Sequence, residues 1–182
     1  MKKLISLLIF ALLVSTATVA KADPVVVDLI AGQNTDVGDV TIVNDTTNLY
    51  VEFAIVDDDP LAYPNWKLVE THLGVAPSLA GIPQTKNGNP KVGAFTLGED
   101  GESGTVDHDP PVTTYMYTIP LADLGIETGG ALIIAAHANI QYVEIVGEPD
   151  NVDPAEPDIL HKEGAWGSGE DFTGKTWAMY VE

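Results

Sequence analysis

Short runs of β-branched and aromatic residues alternate with turn residues along most of the chain, which is the pattern of strands rather than helices. No window keeps a helical period for more than a turn or two, and residues 121–125 make at most one short turn closed by glycine. The pattern predicts an all-β fold, a single antiparallel β-sandwich or jelly-roll-like domain over residues 23–182. The predicted strands are 25–31, 40–43, 49–56, 67–76, 114–120, 131–146 and 177–181.

Three connections between these strands are long for such a fold: residues 77–95, 96–112 and 147–176. They are rich in Pro and Gly, and the acidic residues concentrate in the last two. Long ordered loops on a rigid scaffold are the usual place for binding residues. We therefore expect any binding site to involve these connections.

Alternation within the strands predicts which side chains face the core, because residues two apart share one face of a strand. In 67–76 the odd positions are more uniformly apolar, which leaves Trp66, Leu68, Glu70 and His72 on the other face. In 131–142 the even positions are apolar. The predicted core contains Val69, Leu73, Val75, Ile119, Ile134, Ala136, Ile140 and Tyr142.

The same alternation places Glu70, His72 and His137 together if the two strands lie in one sheet, with Ala135 leaving open space beside them. The segment with His161, Glu163 and Trp166 could cover this patch. Imidazole nitrogens and carboxylate oxygens suit zinc or copper, so Glu70, His72, His137 and Glu163 form a predicted metal site. A buried histidine hydrogen-bonded to a glutamate would explain the same residues structurally.

Calcium is less specifically indicated. Acidic runs occur at 57–59, 99–102, 107–109 and 150–158, but the ligand spacing of an EF-hand fails immediately after Asp100. Solvated acidic loops are the simpler interpretation, and His108 within its run is expected to be an exposed loop residue.

The N-terminus predicts export. Lys2 and Lys3 precede an apolar run over 4–14, and a small-residue cleavage pattern ends at Ala22. Residues 1–22 are therefore a predicted signal peptide, and the mature protein should begin at Asp23 in a secreted location, extracellular or periplasmic. The apolar run is short for a membrane span, and the C-terminus has no hydrophobic tail, so no membrane anchor is expected in the mature form.

Charge and composition exclude several classes of binding partner and of chemistry. Removing residues 1–22 would remove three lysines and no acid, leaving five lysines against 27 acidic residues, a formal charge of −22. Such a chain repels nucleic acid and anionic lipid, and it has no arginine. The chain also has no cysteine, which excludes disulfides, thiolate metal ligation and a cysteine nucleophile.

No catalytic motif of the common hydrolases, nucleotide-binding enzymes or zinc proteases is present. The sequence favours a non-enzymatic binding module whose partner is a metal ion or another extracellular ligand, with self-assembly through an edge strand as a further prospect. The alternative is a secreted carbohydrate-active hydrolase or carbohydrate-binding domain, in which Trp66 and Trp166 would stack on sugar rings.

Several segments carry a family resemblance: Trp66-Lys67-Leu68-Val69-Glu70-Thr71-His72-Leu73, Ala135-Ala136-His137-Ala138 and Ala165-Trp166-Gly167, together with 82–90 and 174–178. In these segments the chain resembles an uncharacterised β-sandwich module of exported bacterial and archaeal proteins. The resemblance implies a surface or extracellular module with histidines in set positions. It implies no established activity.

Overall fold

The computed structural model describes residues 22–56, 66–98, 101–126, 129–144 and 159–182. Its regular elements are strands and three short 3-10 turns, with no α-helix in these ranges, so the all-β prediction is confirmed. No helix in the described chain has the length and apolar character needed to cross a membrane. The strands are β1 (Val25–Ala31), β2 (Thr35–Asn44), β3 (Asn48–Ile55), β4 (Lys67–Ala76), β5 (Thr96–Leu97), β6 (Glu102–Ser103), β7 (Thr105–Val112), β8 (Thr114–Pro120), β9 (Ile133–Glu144), β10 (Ile159–Gly167), β11 (Glu170–Asp171) and β12 (Met179–Tyr180).

Ten of these strands belong to one hydrogen-bonded sheet in the order β6-β5-β4-β9-β10-β1-β2-β3-β8, and β7 adds to β4 beside β5. Strands β11 and β12 form a separate pair. The large sheet is mixed, because β4 and β5 run parallel while the other pairs are antiparallel. A purely antiparallel sheet was expected, and the sandwich arrangement is not confirmed by this connectivity.

The sheet curls so that its two ends approach each other around one hydrophobic core. Only Thr113 separates β7 from β8, and the Tyr117 hydroxyl of β8 donates to the carbonyl of Gly104, which precedes β7, at 2.8 Å. Six residues predicted for the core are buried in it: Leu73, Val75, Ile119, Ile134, Ala136 and Ile140. Tyr142 packs against this core while remaining partly exposed.

A β-bulge at Val69 corrects the predicted faces of β4. Leu68 pairs with Ile140 of β9, whereas Glu70 pairs with the adjacent Asn139, so Val69 is an extra residue on β4. The insertion reverses the alternation before Glu70. Leu68 is consequently fully buried in the core, and Val69, which was predicted there, is only half-buried.

The outer face of β4, β9 and β10 is covered by a second hydrophobic cluster, built from the segments that follow β4 and β10. Ala135 is fully buried in this cluster, so the open space predicted beside it is absent. Gly74 belongs to the same face, where a Cβ would lie 3.2 Å from the Phe95 ring, so the glycine lets that ring pack closely. The buried members are Ala76, Ile82, Phe95, Ile133, Ala135, Trp166, Phe172, Ala178 and Tyr180.

Most predicted strands agree with the structure, with some shifts at their ends. The predicted turn at 121–125 is a 3-10 turn over Leu121–Leu124, and Gly125 closes it with a left-handed backbone at φ 64°. The predicted connections 96–112 and 147–176 differ more, because the first contains β5, β6 and β7 and the second contains β10 and β11. The segment with His161, Glu163 and Trp166, expected to cover the candidate site, is strand β10, which pairs with β9 in the same sheet.

Candidate metal centre

The register of four neighbouring strands builds the candidate site on the outer face of the sheet, at the border of the second cluster. His72 of β4 pairs directly with His137 of β9, and Glu70 pairs with Asn139. Strand β7 extends these pairs on one side and β10 on the other. From β7 to β10, one row of side chains is Thr105, His72, His137 and Trp166, and the next row is Asp107, Glu70, Asn139 and Gly164.

The His72 imidazole is held by both of its nitrogens. Its Nε2 lies 3.0 Å from Glu70 Oε2, and its Nδ1 lies 3.0 Å from the Thr105 hydroxyl. A carboxylate only accepts hydrogen bonds, so a neutral His72 carries its proton on Nε2 and accepts from Thr105 at Nδ1. Asn139 donates its amide to the same Glu70 oxygen. Glu70 is therefore fixed beside the histidine from the neighbouring strand.

His137 lies beside His72, and its contacts with the described residues are packing contacts with the neighbouring rings. The ring centroids of the two histidines are 5.3 Å apart, and the Trp166 ring lies 4.7 Å away on the other side. His137 is 9% exposed, and its buried Nδ1 has no hydrogen-bond partner among the residues that the structure describes. Unpaired buried polar atoms are rare in native proteins because burial without a partner costs free energy.

Glycine at position 164 makes room for this ring. A Cβ built on Gly164 would lie 3.1 Å from His137 Nε2, so a larger residue would force the imidazole to shift. Gly164 thus fixes the depth at which His137 sits between its neighbours.

Burial keeps His137 neutral. Desolvation, with a smaller contribution from repulsion by His72, lowers its pKa from the ordinary 6.5 to about 3. At neutral pH one ring nitrogen therefore carries a free lone pair. A neutral imidazole is the form that ligates a metal ion.

Two clefts reach the site from solvent. One of about 430 Å³ is lined by Glu70, Asn139 and the acidic Asp107, and one of about 510 Å³ is lined by His137, Trp166 and Trp177. Glu163 and Gly164 line both clefts. The two histidines are thus buried, whereas the carboxylates of Glu70 and Asp107 line a cleft that is open to solvent.

The structure brings together three of the four predicted ligands and leaves one apart. Glu70, His72 and His137 are neighbours, whereas Glu163 is exposed, makes no ion pair with either histidine, and has its Oε2 beside Gly32. Within the described ranges, no group of three or more His, Cys, Asp or Glu side chains is arranged to hold a metal ion. Metal binding accordingly stays a prediction.

The two predicted sugar-stacking tryptophans are buried. Trp66 is 9% exposed and meets Tyr142 edge-on with 4.4 Å between ring centroids, and Trp166 is 6% exposed within the second cluster. Neither presents the open ring face that stacking on a sugar requires. Their role in the structure is packing.

His108 was expected on an exposed loop, and this prediction is wrong. It lies on β7, is buried, and its Nε2 is 3.1 Å from the Thr71 hydroxyl. Thr71 also bonds the Tyr117 hydroxyl at 2.9 Å. This polar network occupies the inner face of β4, directly behind Glu70 and His72. Burial lowers the pKa of His108, which opposes its protonation there.

The acidic runs proposed for calcium fall largely outside the described residues. This applies to 57–59, 150–158 and the first half of 99–102. Asp107 and Asp109 are on β7 and exposed.

No protein-family model, curated protein or solved structure matches this chain, so the family resemblance also stays a prediction.

Proposed function

We propose that this chain is an exported, acidic, non-enzymatic binding module that holds a transition-metal ion, zinc or copper, at His72 and His137 with Glu70 as a neighbouring ligand. The observation that carries the proposal is the buried Nδ1 of His137, which lies beside a second imidazole and has no partner in the described part of the chain. A structural histidine would be expected to have that nitrogen paired. A ligand nitrogen needs its lone pair free.

The donor set supports a borderline divalent cation. Two imidazoles and a carboxylate suit zinc and copper, and the lowered pKa of His137 keeps that ring competent down to acidic pH. When a cation takes the place of the proton on His72 Nε2, that proton would move to Nδ1, which would then donate to the Thr105 hydroxyl instead of accepting from it, so binding to the neutral ring releases no proton. Water would supply the remaining coordination positions.

Calorimetric titration of the mature protein with zinc and copper tests the proposal. Millimolar calcium is kept in the buffer to occupy weak acidic sites. We expect one ion per chain, and an affinity at least about tenfold weaker in His72→Ala, His137→Ala and Glu70→Gln, since each removes a ligand.

His161→Ala is the matched control. His161 stacks on Tyr142 with 4.5 Å between ring centroids, and its substitution should leave the affinity unchanged because it lies outside the site. Absence of binding, or equal affinity in all four variants, would overturn the proposal. A hydrolase screen and a glycan array test the alternative, which would be favoured by turnover or sugar binding without metal dependence.

A further inference from the structure

We infer that the chain has a second interaction surface, unrelated to the metal site: the open edge of strand β8, which pairs with the same edge of a second copy of this chain. Strand β8 is paired with β3 from Ala54↔Thr114 to Asn48↔Pro120. On its other side it has no strand partner within the described chain. We call this side the β8 edge.

The β8 edge lacks the features that normally prevent strands from associating. Its seven residues, Thr-Tyr-Met-Tyr-Thr-Ile-Pro, include no charged residue and no proline before Pro120. Natural edges are usually short, charged, bulged or interrupted by proline. The missing charge on β8 is unusual for this chain, because 27 of its 182 residues are acidic and none of them lies on this strand.

Other open edges in the described chain are protected in those ways. Strand β6 has two residues, and β7 carries Asp107, Asp109, Pro110 and Pro111. The open start of β1, Val25–Val27, is flanked by Asp23, Pro24 and Asp28. The β8 edge is therefore the longest unprotected one in these ranges.

The hydrogen bonds at the two ends of β8 show which backbone groups face outward. The Ile55 amide donates to the carbonyl of Thr113, and the Leu121 amide donates to the carbonyl of Thr47, so odd-numbered residues direct their backbone groups toward β3. Even-numbered residues alternate with them. The N–H and C=O groups of Thr114, Met116 and Thr118 therefore face the open side.

The outward-facing backbone groups of β8 can pair with the same groups of a second copy. If two copies meet around a twofold axis at Met116, Thr114 of each copy pairs with Thr118 of the other, and about six backbone hydrogen bonds form without involving Pro120. The side chains brought together are threonines and methionines, and Met116 is 52% exposed in the single chain. A second copy also meets no carboxylate on this strand, which matters for a chain of this charge.

The open side of the β8 edge borders a groove, and the side chains of Thr114, Met116 and Thr118 are exposed. A groove of about 230 Å³ runs along β8 and is bounded on its far side by residues of β5, β6 and β7, including Leu97, Glu102 and Val106. One pair of edge strands buries little area, so the association should be weak, with a dissociation constant of about 10–100 μM.

Cysteine cross-linking tests this surface directly, because the natural chain has no cysteine. In Met116→Cys the two cysteines would face each other at about 5.5 Å between Cα atoms, within the range that a disulfide spans. The matched control is Thr41→Cys, which lies on the same face in the same cross-strand row but two strands away. We expect Met116→Cys to form a disulfide-linked dimer under mild oxidation at least about tenfold faster than the control.

Sedimentation of the unlinked protein provides the second readout. The natural chain and Thr41→Lys should dimerise as concentration rises to about 200 μM, and Met116→Lys should stay monomeric because two buried ammonium groups would meet at the axis. A monomer at every concentration, or equal cross-linking of the two cysteine variants, would overturn the inference. A strand donated by a different protein would give the same monomeric result for the isolated chain.

Discussion

Replacing His137 by leucine should stabilise the metal-free protein, and this expectation distinguishes a ligand from a structural histidine. The buried Nδ1 of His137 has no hydrogen-bond partner within the described ranges, and such an atom costs about 1–3 kcal/mol. Leucine has a similar volume and no polar atom, and the change of shape costs less than about 1.5 kcal/mol. The free energy of unfolding should therefore rise by about 1 kcal/mol.

The matched substitution at His72 should have the opposite sign. Its imidazole bonds both Glu70 and Thr105, so His72→Leu removes two hydrogen bonds and should cost about 2 kcal/mol. The two variants place the same new side chain at directly paired positions of neighbouring strands. Their difference thus reports the hydrogen bonding of each histidine rather than burial alone.

Urea unfolding followed by tryptophan fluorescence measures both effects, at pH 7.5 and with a chelator to remove metal. A slope of about 2 kcal/mol per molar urea converts the expected gain in His137→Leu into a midpoint about 0.5 M higher. A midpoint lowered as much as that of His72→Leu would refute the reasoning. It would mean that His137 makes a stabilising polar interaction in the folded protein.

Three further predictions concern the surroundings of the site. Gly164→Ala should weaken zinc or copper affinity several-fold and cost about 1 kcal/mol, because its Cβ would meet His137 Nε2 at 3.1 Å; Gly93→Ala, with no neighbour within 4 Å of its Cβ, is the control in calorimetry and urea unfolding. Leu68→Ala should destabilise by about 2–4 kcal/mol and Val69→Ala by less than about 1 kcal/mol, measured in the same unfolding assay; equal losses would contradict the bulge. Stability should be fully retained above pH 6.5 and fall between pH 6.5 and about 3, because the unfolded chain protonates His137 there while the folded chain does not; denaturation midpoints across this range should show a smaller loss in His137→Leu.

Strand positions were predictable wherever alternation was regular and the ends were marked. Strand β4 matches its predicted range, as do β1 and β8, because glycine, proline or polar residues bound these runs. The alternation in β9 also placed His137 correctly opposite the core-facing Ala136 and Ala138. The alternation of these two strands, with the assumption that they lie in one sheet, predicted that His72 and His137 would be neighbours, and the pairing of β4 with β9 agrees with that assumption.

The bulge at Val69 could not be predicted from composition. Leu68 and Val69 are both apolar, so either could face the core, and the choice depends on how β4 pairs with β9 and β7. The error did not affect the site, because the bulge precedes Glu70 and leaves the alternation from Glu70 to Val75 intact.

Strand β7 was missed because its sequence is typical of a loop. Aspartates and two prolines interrupt the run, yet pairing with β4 holds it as a strand and buries His108 against Thr71. Long-range pairing overrode local propensity here. Val106 is apolar and lies two residues before His108, so it was the one feature of this segment that indicated a strand face directed toward the core.

The covering of the outer face was also beyond sequence reasoning. Ala135 was expected to leave open space and Trp166 was a candidate for stacking on sugars, whereas aromatic residues from distant segments, including Phe95 and Phe172, enclose both. Their spacing along the chain shows no period that would assign them to one cluster. Only the path of the connections after β4 and β10 brings them together.

The central claim is tested most directly by the histidine ring signals in a long-range ¹H–¹⁵N NMR spectrum recorded during zinc titration. The chain has four histidines, so each can be assigned by substitution. Coordination at the proposed site predicts saturable shifts of the His72 and His137 ring nitrogens at one zinc per chain, with His108 and His161 unchanged. Rings of His72 and His137 that do not respond while zinc binds elsewhere, or does not bind, would contradict the claim.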